Sequence, residues 1–280
     1  MNAIYDWFVV PFQYGFMQSA LFASVIIAMT CGVIGSYVVL RRLAFIGDAL
    51  AHTALPGVVV AYLNGWNLFG GALAAGVMTA LGIGWMARKS TLREDTAIGV
   101  IFTAMFALGI VLMSGTQSFR DLSHILFGNI LGVDRTDVLL ISTVAVVVLV
   151  VLFLLHKEFE LASFDTLQAE VMGIHTDYLR TTLLVLLAFT VVTGIQVVGV
   201  ILTSALLVTP AATASLLTRD LRSMMIYAAF IGAGSAVLGL ILSYHYAVST
   251  GATIVLLCTG FFAIAVGVQR IRQYRSEGRS

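Results

Sequence analysis

A carboxylate and an imidazole stand four residues apart in one apolar segment. Asp48 and His52 lie in the stretch 43–63, which reads LAFIGDALAHTALPGVVVAYL. Positions i and i+4 share one face of a helix, so the two side chains can converge on one ligand. An oxygen donor together with a nitrogen donor suits a divalent transition metal. The pair therefore indicates a metal site.

The composition is that of a membrane protein. Of the 280 residues, 60% are hydrophobic and 10% charged, whereas soluble domains have about 45–50% apolar and about 25% charged residues. A transmembrane helix needs roughly 20 apolar residues. Nine stretches qualify, at approximately 16–40, 43–63, 67–87, 96–115, 136–155, 178–194, 196–217, 222–243 and 250–269. These long unbroken runs argue against a β-barrel, so we predict an all-α polytopic membrane protein.

One detail of this helix assignment stays open. Only Gly194, Ile195 and Gln196 separate the sixth stretch from the seventh, so eight helices are an alternative to nine. We find no soluble domain and no linker, which predicts a single transmembrane domain over residues 1–280.

Within such a chain, Asp48 and His52 are unusual because ionisable side chains at bilayer depth are costly and commonly functional. We interpret them as part of a membrane pathway for a metal ion. The structural alternative is that Asp48 caps a helix or hydrogen-bonds His52 in a packed interior. Thr53 and Pro56 are further pathway candidates. Pro56 and Gly57 are expected to break or kink the helix and to free backbone carbonyls.

Basic residues are distributed asymmetrically over the loops. With the N-terminus outside, 13 of the 15 Lys and Arg residues fall in cytoplasmic loops or in the C-terminal tail, leaving only Arg120 and Arg135 outside. The positive-inside rule therefore predicts an N-outside/C-inside orientation.

Two further interruptions of the apolar stretches are informative. The segment 116–135 has an apolar core that is too short to span, which predicts a short outer helix at about 121–132. The segment 87–95 reads ARKSTLRED. We interpret it as a cytoplasmic loop whose Arg93, Glu94 and Asp95 are either plainly solvated or in contact with a partner.

The polar segment 156–179 carries an apolar stripe with acidic residues between its members. The apolar residues recur at helical spacing, at Leu161, Phe164, Leu167, Val171 and Ile174. This pattern predicts a short amphipathic helix at about 160–174, ended by Gly173. Helices that lie on membranes favour basic polar faces, and this one is acidic. Docking into another protein is the favoured interpretation.

No motif in the chain supplies energy for transport. The segment GWMARKS at 84–90 places Arg88 where a phosphate-binding loop needs its second glycine. Neither an HExxH nor a GxSxG motif is present. A proton-coupled carrier is expected to have ionisable residues in several spans, and here Asp48 and His52 are nearly alone. We therefore expect the energy source on another chain.

The segment FIGDALAHTALPGVVVAYL (45–63) resembles the signature of the metal-ion permeases of ATP-binding-cassette importers, the manganese, zinc and iron class. The resemblance extends over nearly the whole chain and does not distinguish zinc from manganese. The other matching segments, in order, are REDTAIGVIFTAMFALGI (93–110), LSHILFGNIL (122–131), FDTLQAEVMGI (164–174), VVGVILTSALLVTPAATA (197–214) and STGATIVLL (249–257).

The resemblance implies the membrane subunit of a type II importer, in the cell membrane of a bacterium, with no enzymatic activity, resident cofactor or nucleic-acid partner of its own. It implies a homodimer around one pathway, a separate cytoplasmic ATP-binding subunit and an extracytoplasmic metal-binding lipoprotein. The segment 160–174 becomes the cytoplasmic coupling helix that contacts the ATP-binding subunit, through Leu161, Phe164, Asp165, Leu167, Glu170, Val171, Gly173 and Ile174.

Asp48 and His52 then become ligands of the transported ion, Mn²⁺ or Zn²⁺. Two donors are too few for Zn²⁺, which favours about four, or for Mn²⁺, which favours about six. A two-fold dimer supplies the pair twice.

Three rival functions stay open at the level of sequence. The first is a metal carrier driven by an ion gradient, and the second is a type II permease for chelated iron or a corrinoid, whose wide pathway needs no converging donors. The third is an intramembrane enzyme that uses Asp48 and His52 as an acid–base pair. The docking helix separates the first and third rivals from the ATP-driven importer, because neither needs such a helix.

Overall fold

A computed structural model describes residue 7 and residues 10–89, 94–114 and 130–277. Within these ranges the chain forms α-helices, two short 3-10 turns (Val10–Gln13 and Ile130–Gly132) and no strand. The helices are α1 (Gly15–Leu40), α2 (Ile46–Thr53), α3 (Leu55–Leu63), α4 (Leu68–Lys89), α5 (Glu94–Ser114), α6 (Arg135–Leu154), α7 (His156–Phe164), α8 (Thr166–Val171), α9 (Thr176–Val198), α10 (Val200–Leu217), α11 (Leu221–Tyr246) and α12 (Thr250–Glu277).

Nine segments of the described chain are long and apolar enough to cross a membrane, which confirms the predicted number. Helices α2 and α3 together form one of these spans, over Ile46–Leu63. They part only at Ala54, whose backbone keeps helical dihedral angles (φ −70°, ψ −22°). This interruption lies two residues before Pro56 and corresponds to the break expected there.

The boundary between the sixth and seventh spans lies later than the sequence suggested. Gly194, Ile195 and Gln196 all belong to α9, which continues to Val198. The helix ends at Gly199, where φ is +86° and ψ is 168°. A side chain disfavours positive φ, so this glycine ends the helix where Gly194 does not.

The chain divides into two compact units. The first comprises 1–39, 130–142 and 201–280, and the second comprises 40–129 and 143–200. In the first unit α1 lies against α11, because a Cβ added at Gly32 would stand 2.8 Å from the carbonyl oxygen of Ala228. The prediction of one permease domain over 1–280 stays a prediction.

In the second unit α4 is the central helix, held by close glycine contacts on two sides. Gly57 of α3 and Gly71 of α4 face each other so closely that a Cβ at either would meet the other's backbone carbonyl. Towards α9, a Cβ at Gly76 would lie 3.0 Å from Val192. Small residues allow such backbone approach, and in lipid they replace the hydrophobic effect as the means of holding helices together.

The predicted amphipathic helix over 160–174 is in fact two helices, α7 and α8. They meet at Asp165, whose backbone is extended (φ −146°, ψ 99°). The carboxylate of Asp165 accepts a 2.9 Å hydrogen bond from the backbone N–H of Gln168 and so caps α8. Gly173, with φ +81°, follows α8 as predicted. Residues 121–129 of the predicted outer helix lie outside the described residues.

Candidate functional site

Asp48 and His52 lie on one face of α2, at an ion-pair distance. His52 Nε2 stands 3.6 Å from Asp48 Oδ1, and the two side chains are 27% and 55% exposed, respectively. This separation is too long for a hydrogen bond. The residue that precedes α2 is Phe45, and no side chain caps the helix. The structure therefore shows neither of the two structural alternatives for Asp48, and both side chains are accessible.

Two aromatic rings pack against the imidazole of His52. The imidazole lies edge-on to Phe106, with centroids 5.3 Å apart, and tilted to Phe102 at 5.9 Å. Its Nδ1 is buried and has no hydrogen-bond partner among the described residues. Nε2, the nitrogen beside Asp48, is therefore the one positioned to share a ligand with that carboxylate.

A cavity of about 280 Å³ opens beside Asp48. It brings a second carboxylate, Asp95 from the beginning of α5, to the same space as Asp48. The lining residues are Phe45, Asp48, Ala49, Asp95, Ile98, Gly99 and Phe102.

Asp95 is the site residue that sequence reasoning missed, since it was assigned to a loop. The available signal was helical spacing. Asp95, Ile98, Gly99 and Phe102 follow i, i+3, i+4 and i+7, which places them on one face of α5. That face meets α2, because Phe102 also contacts the ring of His52.

A single chain offers few metal donors. Among the residues that the structure describes, no group of three or more His, Cys, Asp and Glu side chains could hold a metal ion. The metal-binding role of Asp48 and His52 stays a prediction. A complete coordination shell requires donors from elsewhere, such as a second copy or water.

Thr53 and Pro56 are both buried, unlike Asp48 and His52. The hydroxyl of Thr53 donates to the carbonyl oxygen of Leu50 at 3.1 Å. Pro56 lies in the first turn of α3, where a missing N–H leaves no helical bond unmade. The carbonyl oxygen of His52 accepts from the N–H of Ala54 instead. Pathway roles for Thr53 and Pro56 stay predictions.

The predicted coupling residues form an apolar surface together with their anchors. We call the exposed side chains of Phe164, Leu167, Val171 and Met172 the docking surface. Val171 is 88% exposed. Leu161 and Ile174 are half-buried behind it, whereas Asp165, Glu170 and Gly173 shape the backbone or hydrogen-bond locally. Met172 was missed, because it follows α8 and falls outside the helical spacing.

Among the described residues outside the spans, Asp220 has a shifted pKa. Asp220 precedes α11, and its Oδ2 accepts a 2.9 Å hydrogen bond from the backbone N–H of Ser223. This bond, followed by the one from the Ser223 hydroxyl, lowers the pKa of the Asp220 carboxyl. Asp220 is therefore a structural cap and lies in a different unit from Asp48.

The nine apolar spans of the described residues are typical of a multi-pass membrane protein. The family model of the ABC 3 transport family matches residues 13–269. The chain belongs to that family. Its members are membrane permease subunits of ATP-binding-cassette transporters in bacterial cell membranes, and ATP hydrolysis belongs to a separate subunit.

Individual relatives agree with this assignment over almost their full lengths. The chain is 46% identical to the manganese transport system membrane protein MntC of Listeria monocytogenes, over 90% of each protein. It is 37% identical to the chelated iron transport system membrane protein YfeD of Yersinia pestis, over 97% of this chain and 92% of that one.

A solved structure shows the same fold. The structure of PsaBC from Streptococcus pneumoniae in complex with Fab matches with a TM-score of 0.82 and 37% identity, covering 94% of this chain and 95% of that one. The resemblance inferred from the sequence motifs, including the all-helical permease fold, is thereby confirmed.

Proposed function

We propose that this chain forms the ion pathway of an ATP-driven importer of Mn²⁺. The observation that carries the proposal is the accessible pair of Asp48 and His52, 3.6 Å apart within a membrane span. A carboxylate with one imidazole is acceptable to Mn²⁺. A relative that is 46% identical is named as a manganese transport protein, which favours this ion over Zn²⁺.

The pathway is formed by a homodimer. Two copies supply Asp48 and His52 twice, which gives four donors around one axis. Water completes the roughly six positions that Mn²⁺ favours. Support comes from the donor number, because the described part of one chain has no group of three or more His, Cys, Asp and Glu side chains that could hold a metal ion.

The docking surface connects the pathway to the energy source. Four apolar side chains exposed outside the spans, on and beside a short helix, suit insertion into a cleft of the cytoplasmic ATP-binding subunit. An extracytoplasmic lipoprotein delivers the ion on the other side. Family membership supports both partners.

The test is uptake of ⁵⁴Mn²⁺, ⁶⁵Zn²⁺ and ⁵⁵Fe by cells that carry the wild type, Asp48→Ala or His52→Ala. Iron is included because YfeD is named for chelated iron. Matched controls are Asp137→Ala and His245→Ala, which remove the same residue types from other spans. Membrane level and retention of the ATP-binding subunit are measured for each variant.

We expect both site variants to lose ⁵⁴Mn²⁺ uptake with assembly intact and both controls to retain it. Loss of another isotope instead identifies a different cargo. Normal uptake by both site variants would rule out the metal site, and uptake that survives depletion of ATP in the wild type would favour the gradient-driven carrier.

A further inference from the structure

An ion pair connects the end of α4 to the beginning of α9. Arg88 Nε lies 3.2 Å from Asp177 Oδ2. The same guanidinium stands 5.8 Å from the centroid of the Tyr178 ring, within the range of a cation–π contact. Asp177 and Tyr178 belong to the first turn of α9, immediately after the docking surface. Arg88 therefore connects α4 to the first turn of α9, which follows α8 in the chain.

Helix α8 is itself fastened to that first turn. The hydroxyl of Thr176 donates to Glu170 Oε1 at 2.9 Å. The backbone N–H of Ile174 donates to the carbonyl oxygen of Ala169 at 3.0 Å, across the turn made by Gly173. These bonds connect α8 to the turn that carries Asp177, and Asp177 connects that turn to Arg88.

Helix α4, which ends at Lys89 beside Arg88, contacts both α9 and α3. A Cβ at Gly84 would lie 2.8 Å from Thr181 Oγ1 of α9, so these helices touch one turn from the ion pair. Nearer the other end, a Cβ at Gly71 would lie 2.6 Å from the Cβ of Ala61 in α3. Helix α3 continues the span that contains Asp48 and His52. All of these residues belong to the second unit.

We propose that Arg88 and Asp177 are positioning residues that transmit movement of the docking surface through α4 to the donor pair. The inference rests on the proposed function and adds to it the residues through which ATP hydrolysis is coupled to ion movement. Both side chains are about half exposed. Loss of the pair therefore uncouples ATP hydrolysis from ion movement. Because exposed ion pairs contribute little to stability, the assembly stays intact.

The test uses the complete complex with its ATP-binding subunit, reconstituted in liposomes, and measures ⁵⁴Mn²⁺ transported per ATP hydrolysed. The variants are Arg88→Ala, Asp177→Asn and the double substitution. The matched control is Arg180→Ala. Arg180 Nη1 lies 3.8 Å from the same carboxylate, but Arg180 belongs to α9, the same helix as Asp177.

We expect each single variant to lower the amount of ⁵⁴Mn²⁺ transported per ATP hydrolysed roughly two- to fivefold. This factor corresponds to the interaction energy of an exposed ion pair. The double variant should be no lower than the singles, because residues of one link are not additive. Arg180→Ala should keep the wild-type ratio. If Arg88→Ala does not assemble, Arg88→Gln removes the charge while keeping most of the length.

Unchanged ratios in assembled Arg88 and Asp177 variants would overturn the inference, as would an equal drop in Arg180→Ala. Failure of the proposed function can be distinguished from failure of the Arg88–Asp177 link, because only the former affects the wild type. A wild-type complex that hydrolyses ATP without moving ⁵⁴Mn²⁺ contradicts the proposed function and the link together.

Discussion

At the scale of single residues, the effect of Asp95 on ion uptake can be tested. Asp95 shares the cavity beside Asp48 and adds negative charge where a divalent cation would pass. We predict that Asp95→Asn raises the Mn²⁺ concentration for half-maximal uptake by roughly tenfold, the size of effect typical of residues around a metal site. The measurement is ⁵⁴Mn²⁺ uptake against concentration.

The control for Asp95 is Asp95→Glu, which keeps the charge and should remain close to the wild type. A half-maximal concentration that is unchanged in Asp95→Asn would show that the cavity carboxylate does not act on the ion.

The donor pair was predictable from the sequence and Asp95 was not, for a physical reason. Asp48 and His52 are four residues apart, so helix geometry alone brings them together. Asp95 belongs to another helix, and its relation to Asp48 depends on which face of α5 packs against α2. Spacing within α5 defines its faces but does not select the one that faces the pair.

At the scale of helices, the contact between α3 and α4 gives a matched pair of substitutions. A methyl group added at Gly71 meets the backbone of Gly57 and the side chain of Ala61, whereas at Gly70 the nearest atoms belong to Asn67, 4.0 Å away. We predict that Gly71→Ala destabilises the protein by about 1–3 kcal/mol through overpacking. Gly70→Ala should be neutral or slightly stabilising.

Thermal unfolding of the two glycine variants in detergent tests this prediction. Equal unfolding temperatures for Gly70→Ala and Gly71→Ala would contradict the close contact between α3 and α4.

The cap of α11 gives a prediction about pH. The pKa of Asp220 is lowered in the folded protein by its hydrogen bonds to Ser223, relative to about 3.9 for a free aspartate. Its stabilising contribution is therefore present above that value and is lost as pH falls through the lower folded pKa. We predict that Asp220→Ala unfolds at a lower temperature than the wild type at pH 7.

The difference between Asp220→Ala and the wild type should shrink below about pH 4. Unfolding temperatures measured from pH 7 down to the lowest pH that the protein tolerates give the comparison. A difference that is constant over this range would exclude an ionised cap.

The sequence contains a signal for the division of the segment 160–174 into α7 and α8. Asp165 is followed three residues later by Gln168, the spacing of a helix-starting cap. The apolar stripe continues past Asp165 at helical spacing, so its period alone predicts one helix. Hydrophobic spacing predicts which side chains share a face, but a cap decides where one helix stops and the next begins.

At the scale of the whole molecule, the nine predicted spans place the two ends of the chain on opposite sides of the membrane. The orientation rests on the arginine and lysine distribution and leads to a labelling prediction. In a variant with Cys31 and Cys258 replaced by serine, Asn64→Cys should react with an impermeant maleimide added outside. Arg219→Cys should react only after the membrane is permeabilised.

Both labelling positions are exposed ends of spans, so access to solvent does not differ between them. The reverse labelling pattern would contradict the orientation derived from the positive-inside rule. The number of spans was predictable because apolar length is a local property. The two compact units were not, since they arise from which helices pack together.

The unpartnered nitrogen of His52 has a consequence for the lifetime of a bound ion. An imidazole that coordinates through Nε2 carries its proton on Nδ1, and in most metal sites that proton is donated to an oxygen, which strengthens the ligand. Among the described residues, Nδ1 of His52 has no such acceptor. Under the proposed function, His52 is therefore a weak ligand with a short residence time, which would be a defect in a storage protein but speeds release in a conduit.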